Sequence, residues 1–357
     1  MLRIDEILKK AVQLEASDLH IVIGKPPIFR ILGELVPMPG AEPVCEESAK
    51  SLIYSMLNES QRMKLEQNWE IDCSLGLQNV ARFRANVFTQ VNGVEAALRI
   101  IPSKIPTPEE IGLTPAMTAL ADLPHGLVLI TGPTGSGKST TIASLLELIN
   151  KREACNILTI EDPIEFTYEN KMSIFRQREV GQNTKSFANA LRSALREDPD
   201  VILVGEMRDL ETIQLALTAA ETGHLCFATL HTQDAPSAID RIIDVFPPHQ
   251  QDQIRVQLAG TLQAVIAQNL MTRRDGKSRI AAREFMAVTP AIANLIREKK
   301  TFMIYNAIET GGKFGMISMD KALANMAKQG IISQEQALLK ARSVDSLKQL
   351  IGGARCE

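Results

Sequence analysis

The sequence predicts an α/β protein with two domains, a smaller α+β domain followed by a larger domain built on a parallel sheet. Its 357 residues exceed the length of one ordinary domain. In the second part of the chain, apolar strands alternate with helical segments, as in parallel sheets that are covered on both faces. A proline-rich stretch separates the two parts and predicts a semi-rigid linker. The expected boundaries are 1–101, 102–115 and 116–357.

The composition is that of a globular protein without a preference for polyanions. The net charge is −3, and Lys and Arg are interspersed with Asp and Glu, so no basic stripe predicts nucleic-acid binding. The cysteines are odd in number and never spaced as C-x-x-C, which favours a reducing compartment and argues against a cysteine zinc site. They are Cys45, Cys73, Cys155, Cys226 and Cys356.

The chain carries no segment that predicts export or membrane insertion. Its first ten residues include charges throughout, unlike a secretory signal peptide. The longest uncharged stretch, 256–272, contains Gln and Asn and is interpreted as a buried helix rather than a membrane span. We therefore predict a cytoplasmic protein.

The first domain combines helices with antiparallel strands. Apolar residues at helical spacing predict helices, and alternating apolar residues predict strands. The turn at Asn92-Gly93 indicates a hairpin. The predicted segments are helices at 4–14 and 46–67, a strand at 19–23, a strand pair over 28–36, and a hairpin of 80–88 with 94–101.

Alternation in the first hairpin strand places Arg82 and Arg84 on the face opposite Phe83. Two arginines on one face fit a solvated sheet surface. They also fit a surface that binds the γ-phosphate of a nucleotide held by another domain or subunit, because Arg forks match phosphate oxygens. The periodicity does not choose between these interpretations.

The second domain contains four apolar strands that each end in polar residues. Ligands of parallel sheets bind beyond the carboxyl ends of the strands, so these polar ends are expected to converge on one nucleotide. The strands are 127–130, 156–160, 201–204 and 225–230.

A phosphate loop follows the first of these strands. Gly132-x-x-x-x-Gly137-Lys138-Ser139 lies between an apolar strand and a helical segment, the context that this motif requires. Its glycines, including Gly135, let backbone N–H groups curl into an anion nest. Lys138 is expected to reach the outer phosphates and Ser139 to ligate Mg²⁺, while the helix from about Thr140 directs its positive end at the nucleotide.

The acidic residues of the site are predicted from the strand ends. Asp200-Val-Ile-Leu-Val-Gly-Glu206 is similar to a Walker B strand, with Gly205 in the place of the usual Asp. Glu206 is expected to polarise the attacking water or to hold it through the metal shell. Glu161 and Asp162 are candidates for the missing acidic partner, and the sequence does not separate base from partner.

Two histidines, His224 and His231, bracket the last strand. Their separation along an extended segment argues against a shared metal site. His231, at the carboxyl end, is expected to contact the γ-phosphate or to position water, and a structural role competes for His224. Arg208 and Asp209 closely follow Glu206 and are expected near the same cleft.

With these residues assembled, the chain resembles the PilT family of type IV pilus retraction ATPases, within the secretion ATPase superfamily. The resemblance runs nearly from end to end. The similar segments are Ala16-Ser-Asp-Leu-His20, the phosphate loop, the Asp box at 159–166, the atypical Walker B motif at 204–209 and the His box at 222–232.

The resemblance implies a PAS-like N-terminal domain, a RecA-like P-loop ATPase domain and a homohexamer that uses ATP and Mg²⁺. It implies that the nucleotide lies between the two domains, where arginines complete the site. The implied catalytic residues are Glu206, Glu161, His231, Arg82, Arg84 and Arg99. The implied nucleotide contacts are Gly132, Pro133, Thr134, Gly135, Ser136, Gly137, Lys138, Ser139, Thr140, Asp162 and His224.

The implied location is the cytoplasmic face of the membrane, at the pilus base. The implied partners are an inner-membrane platform protein and, alternatively, a second pilus ATPase, without nucleic acid.

The segment 290–298 resembles the retraction-type signature of this family. It predicts a helix with Thr289 as N-cap and Pro290 in the first position. Ala293 stands where the family usually carries Arg, which bears on retraction rather than on hydrolysis. Ser318 and Ser333 are predicted to cap two further helices, Ser333 in a capping box with Gln336.

Three alternative functions compete with pilus retraction. A pilus assembly or type II secretion ATPase would commonly carry a long N-terminal extension and a tetracysteine zinc insertion, and neither is found in this sequence. A nucleotide-switched accessory of a true motor would show little autonomous turnover. A RecA-like nucleic-acid motor is disfavoured by the net charge.

Overall fold

The computed structural model describes residues 3–31, 33–77, 81–101, 104–276 and 278–352. The chain forms two compact units, each with its own core. The first unit comprises the described residues up to Lys104 together with Pro163–Thr167, and the second comprises Ile105–Asp162 with the described residues from Tyr168 onward. The segment Pro163–Thr167, predicted in the second domain, therefore groups with the first unit. Val80, Pro102 and Cys356, on which predictions were made, lie outside the described residues.

The first unit is built on a six-stranded antiparallel sheet with the order β3-β2-β1-β6-β5-β4. The predicted first helix, the strand pair around Gly33 and the hairpin around Asn92-Gly93 are confirmed. The elements are α1 (Ile4–Gln13), β1 (Asp18–Ile21), β2 (Ile28–Ile31), β3 (Glu34–Pro37), α2 (Glu46–Met56), α3 (Glu59–Asn68), β4 (Glu70–Leu77), β5 (Ala81–Gln90) and β6 (Gly93–Ile101).

The prediction of one continuous helix over 46–67 is wrong. Helix α2 ends at Met56, and α3 begins after Asn58, whose side chain accepts from the Gln61 N–H in a reciprocal capping box. Asn favours such caps because its side chain satisfies a backbone donor that the first helical turn leaves open. Strand β4, which pairs with β5, was not predicted.

The core of the first unit follows the predicted alternation in β5. Phe83, Ala85 and Val87 are fully buried in one cluster, whereas Arg84 on the opposite face is exposed. Successive side chains of a strand point to opposite faces, so the three alternating apolar residues determine which face of β5 packs against the core.

The second unit is built on a seven-stranded sheet with the order β13-β12-β7-β11-β10-β8-β9. All its strand pairs are parallel except the pair of β12 with β13. The strands are β7 (Gly126–Thr131), β8 (Asn156–Glu161), β9 (Ile174–Glu179), β10 (Val201–Val204), β11 (Leu225–Leu230), β12 (Leu262–Thr272) and β13 (Arg279–Ala287).

Helices cover both faces of this sheet, and apolar strand residues alternate between two clusters. Leu127 and Leu129 of β7 belong to one cluster, while Val128 and Ile130 belong to the other. The helices are α4 (Pro115–Thr118), α5 (Lys138–Arg152), α6 (Phe187–Ala194), α7 (Leu210–Glu221), α8 (Ala235–Asp244), α9 (Pro248–Thr261), α10 (Pro290–Arg297), α11 (Ile304–Thr310), α12 (Met319–Lys328), α13 (Gln334–Lys340) and α14 (Val344–Gly352).

The interpretation of 256–272 as one buried helix is wrong for its second half. Helix α9 ends at Thr261, and β12 begins directly at Leu262. Strand β12 lies beside β7 and is buried over most of its length, so it reads as a continuous apolar run without strand alternation. Strands β9 and β13 were not predicted. Over the described ranges, no helix has the length and apolar character to cross a membrane.

The predicted caps near the C-terminal part have mixed outcomes. Helix α10 begins at Pro290, and the Thr289 side chain accepts from Ile292 N–H as predicted. The capping box of Ser333 with Gln336 is confirmed. Ser318 occupies the N-cap position of α12 as predicted, but its side chain makes no capping hydrogen bond.

Candidate nucleotide-binding site

The carboxyl ends of the parallel strands form the edge at which the predicted site residues gather. Parallel registers align Thr131 of β7 with Leu230 of β11, and Val204 of β10 with both Ala228 of β11 and Ile160 of β8. The phosphate loop, Glu206, Glu161 and His231 each follow or end one of these strands. The sheet therefore brings them to one edge of the second unit.

The phosphate loop ends at the start of helix α5. Gly137 is the N-cap in a left-handed conformation, and the helix begins at Lys138. The first N–H groups of a helix lack intrahelical acceptors and carry the positive end of its dipole, which suits a phosphate. Lys138 is buried, and its Nζ donates to the carbonyls of Gly132 and Pro133 at 2.8 and 3.1 Å.

Gln268 of β12 contacts the phosphate loop, and the sequence pattern did not predict this contact. Gly132 has a φ of +141°, and a Cβ there would lie 2.3 Å from the Gln268 carbonyl oxygen, so only glycine fits. The Gln268 side chain is fully buried and donates to the Ser136 carbonyl at 3.2 Å. A polar residue within the apolar stretch 256–272 was the available clue. The cradle that results fits a phosphate group.

Glu206 is held by the side chains of His231 and Arg208. Its Oε1 accepts from His231 Nε2 at 3.0 Å and from Arg208 Nε at 2.5 Å. Burial raises the pKa of Glu206, but the hydrogen bond from Arg208 and the charges of His231 and Arg208 outweigh burial and leave the pKa below its usual range. The carboxylate is therefore ionised at neutral pH.

Gly205 stands where a Walker B strand usually carries Asp, and the structure gives a steric reason. Its N–H donates to the Ile160 carbonyl at 2.7 Å, and its own carbonyl accepts from the Thr229 hydroxyl. A Cβ at this position would lie 3.0 Å from the Ile160 carbonyl oxygen and 3.1 Å from the Glu161 Cα. The backbone of β8 thus leaves little space for a side chain at this position.

Glu161 ends strand β8 and is buried. Its Oε1 accepts from the Thr159 hydroxyl at 2.7 Å and from Gln177 Nε2 at 3.4 Å. Asp162 follows it and is exposed, and its charge contributes to the raised pKa of Arg208, after the larger effects of Glu206. Glu161 and Asp162 thus lie at the end of β8, the strand beside the one that Glu206 follows.

His231 and His224 lie at opposite ends of β11. Thr232, next to His231, accepts through its carbonyl from Thr131 Oγ1 at 2.5 Å, which fixes the loop beside the end of β7. His224 precedes the strand, and its Nδ1–H donates to the Ala219 carbonyl at 2.9 Å. Within one chain, His224 therefore lies at the edge opposite the phosphate loop, and its expected nucleotide contact stays a prediction.

The three expected arginines belong to the sheet of the first unit. Arg82 donates to Ser74 Oγ at 2.8 Å, and Arg99 pairs with Asp18 at 3.0 Å. Arg84 is exposed and lies opposite Arg99 in the β5–β6 ladder. Their roles toward a nucleotide stay predictions.

The magnesium site that the resemblance implies lies at the first turn of α5. Ser139, in the first turn of α5, is the residue that would hold the ion. No group of three or more His, Cys, Asp or Glu within the described ranges has metal-binding geometry.

A glycine cradle, a buried lysine and an ionised glutamate at the carboxyl edge of a parallel sheet define a P-loop nucleotide hydrolase with a RecA-like fold. The family profile described as "Type II/IV secretion system protein" matches residues 2–344. The chain therefore belongs to the type II/IV secretion system protein family, and it is an ATPase of that family.

Comparisons with individual proteins agree with this assignment. The chain is 50% identical to the type IV pilus retraction ATPase PilT of Pseudomonas aeruginosa, over 95% of this chain and 98% of that protein. It is 48% identical to a twitching motility protein of Neisseria gonorrhoeae, over 90% of this chain and 86% of that protein. A crystal structure of the pilus retraction motor PilT with bound ADP superposes with a TM-score of 0.91 at 47% identity, covering 98% of this chain and all of that one.

Proposed function

We propose that the chain is a Mg²⁺-dependent ATPase motor that powers retraction of type IV pili. The observation that carries the proposal is the convergence of the phosphate loop with the Glu206–His231 pair at one sheet edge. The high identity to a pilus retraction ATPase over nearly the whole chain supports pilus retraction as the work that this motor performs.

In this mechanism Lys138 and the first N–H groups of α5 hold the phosphates. Lys138 Nζ contacts two loop carbonyls, which phosphate oxygens can replace without moving the buried stem of the side chain. Ser139 would hold Mg²⁺, which would supply positive charge that neutralises part of the phosphate charge. Gln268 keeps the loop in its curled form by holding the Ser136 carbonyl.

Glu206 orients the attacking water. Its lowered pKa makes it a weak proton acceptor but keeps it charged, so it accepts hydrogen bonds at a fixed position. Orientation is the larger need, because phosphoryl transfer passes through a loose transition state in which little proton removal has occurred. His231 fixes the Glu206 carboxylate through its hydrogen bond, and its own side chain is exposed. Glu161, held by Thr159, is the alternative base.

The remaining parts of the proposal concern assembly. We propose the domains 1–101 and 116–357 as the moving parts, joined by the linker 102–115. Arg82, Arg84 and Arg99 would stabilise the transition state when a homohexameric ring closes, as the resemblance implies. The ring would dock on an inner-membrane platform protein at the pilus base, with a second pilus ATPase as an alternative partner.

The test is Mg²⁺-dependent ATP hydrolysis as a function of protein concentration, for the natural chain, Glu206→Gln and Glu161→Gln. We expect turnover per chain to rise on assembly and to fall about 10²- to 10⁴-fold in Glu206→Gln, because a positioned water contact is lost. The control Glu335→Gln, an exposed carboxylate at the start of α13, should keep full turnover.

Two results would change the proposal. If Glu206→Gln keeps full activity while Glu161→Gln loses it, Glu161 takes the role of the base. If the assembled natural chain shows no turnover, the autonomous motor is refuted and the nucleotide-switched accessory is favoured. Ala293, buried in α10 where the family usually carries Arg, bears on the coupling to retraction and not on this choice.

A further inference from the structure

Glu284 is a buried carboxylate outside the phosphate loop. It lies in β13, is 1% exposed and pairs with Ala267 of β12. Its Oε1 accepts from Ala235 N–H at 2.9 Å, and its Oε2 accepts from Met319 N–H at 3.4 Å. These two N–H groups lie at the first positions of α8 and α12, where a helix offers no acceptor of its own. One side chain therefore holds the starts of two helices.

The first of these contacts fixes one end of the loop that carries His231. The loop leaves β11 after Leu230 and enters α8 at Ala235. Thr131 contacts Thr232 near the beginning of the loop, and Glu284 holds Ala235 at its end. His231 donates to Glu206 from between these anchors, so the position of its ring depends on both.

The second contact connects the same carboxylate to the C-terminal helices. Phe285, the neighbour of Glu284, pairs with Ile317 through two backbone hydrogen bonds just before α12. Within α12, Asp320 is buried and accepts from the N–H groups of Arg342 and Ser343 at 2.8 and 3.0 Å. A displacement of α12 therefore reaches the Glu284 carboxylate through Met319.

We propose that Glu284 is a positioning residue for His231, through which the C-terminal helices set the geometry of the His231–Glu206 contact. The proposal rests on the catalytic role proposed above for that pair. A carboxylate is a rigid planar group, so a shift of the donor on Oε2 turns Oε1 away from Ala235. Leaving the buried Ala235 N–H without an acceptor is unfavourable. Ala235 and the loop that carries His231 therefore move with the Glu284 carboxylate.

The charge of Glu284 matters because only the ionised form can accept from both N–H groups without a competing proton. Burial raises the pKa of Glu284 to about 7. The Ala235 and Met319 N–H groups and the Arg342 charge act to lower it, while the negative charge of Asp234 acts to raise it. Protonation near neutral pH would therefore weaken one of the two contacts.

The experiment compares Glu284→Gln with the matched control Asp320→Asn, in the full chain with Mg²⁺ and ATP. Gln keeps the size and one acceptor but places an NH₂ group against one of the two backbone donors. Asp320 is also a buried carboxylate with two backbone donors, but those donors lie in 342–343, away from the His231 loop. The readouts are kcat, KM for ATP and their pH dependence on both sides of neutrality.

We expect Glu284→Gln to lower kcat about tenfold, to leave KM within about twofold and to flatten the pH profile near neutrality, because the phosphate loop is untouched. Asp320→Asn should change the thermal midpoint without changing the shape of the pH profile. A second variant, Met319→Pro, removes the donor to Oε2 at a helix position that tolerates proline, together with the buried Met319 side chain. It should lower kcat in the same way and beyond any loss in Met319→Ala, which keeps the backbone N–H.

The proposal is overturned if Glu284→Gln and Met319→Pro keep the natural kcat and pH profile. It is also overturned if Glu284→Gln and Met319→Pro lower kcat only as much as they lower stability, and Asp320→Asn lowers kcat and stability in the same proportion. Glu206→Gln and His231→Ala separate this outcome from failure of the proposed function. If those two variants remain fully active, the catalytic pair itself is refuted, whereas if they are inactive and Glu284→Gln is normal, only the coupling is refuted.

Discussion

The two edges of the parallel sheet carry the same residue types but differ in what the backbone does beside them. At the carboxyl edge, His231 meets an ionised glutamate next to a glycine loop and a helix start. At the amino edge, His224 donates to the Ala219 carbonyl at the end of α7. A cleft at that edge is lined mainly by neutral side chains, including those of Gln253, Gln257 and Gln263.

The difference shows that the direction of a strand, rather than the identity of a side chain, decides which histidine can act on a nucleotide. In a parallel sheet all helix starts that follow strands point their N–H groups to the carboxyl edge. Strand β11 separates His224 from His231 by about 20 Å, at roughly 3.3 Å per residue. One chain can therefore bring only the second to its own phosphate loop.

The largest expected effect at the carboxyl edge comes from Lys138→Ala. The variant removes the buried cation that faces the phosphates, and we expect ATP hydrolysis to fall at least about 10³-fold. Nucleotide affinity, measured with a fluorescent ATP analogue, should fall as well. The control Lys151→Ala removes a lysine near the other end of α5, where it pairs with Glu147, and should leave hydrolysis within about twofold. Equal losses in both variants would contradict a special role for the loop lysine.

A smaller effect is expected from His231→Ala. The hydrogen bond to Glu206 is lost, so the carboxylate gains freedom, and we expect kcat to fall about 10²-fold. Nucleotide affinity should change little, because the phosphate loop keeps its contacts with Gln268 and Lys138. Single-turnover kinetics with radiolabelled ATP would measure the chemical step directly. A normal chemical step with weakened binding would show that His231 holds the nucleotide instead.

The smallest effect on the nucleotide is expected from His224→Ala, the counterpart at the amino edge. Loss of the hydrogen bond to Ala219 should cost about 1 kcal/mol of unfolding free energy. ATP affinity of the dilute chain should stay within about twofold. Urea denaturation and nucleotide titration check the two parts separately. A large loss of affinity would remove the distinction between the edges and restore the nucleotide contact that the sequence predicted for His224.

Much of this site could be predicted because its determinants are local in the sequence. The glycine spacing of the phosphate loop, the apolar strand before it and the helix from Lys138 all follow from neighbouring residues. Glu206 and His231 were expected at one edge because each ends a buried strand, and their contact at 3.0 Å agrees with that expectation. Strand ends converge whenever the sheet is parallel, whatever the strand order.

The parts that could not be predicted depend on which strands become neighbours. Gln268 supports the loop only because β12 lies beside β7, and β12 itself was hidden in a stretch interpreted as a helix. Glu284 holds two helix starts that are separated from it by tens of residues. Local periodicity does not distinguish a helix from a buried strand in an uncharged run such as 256–272. It also does not predict contacts that depend on which strands pair and in which register.

Gly205 limits which residues the site can acquire by mutation. Glycine and aspartate codons can differ by a single nucleotide, so mutation repeatedly offers the usual Walker B residue at this position. The Ile160 carbonyl oxygen and the Glu161 Cα would lie 3.0 and 3.1 Å from the Cβ of such a residue, so the backbone of β8 would have to shift by a few tenths of an ångström. Return of the usual Walker B carboxylate would therefore require a compensating change in β8, which makes two coordinated mutations the requirement for a residue that one nucleotide change could encode.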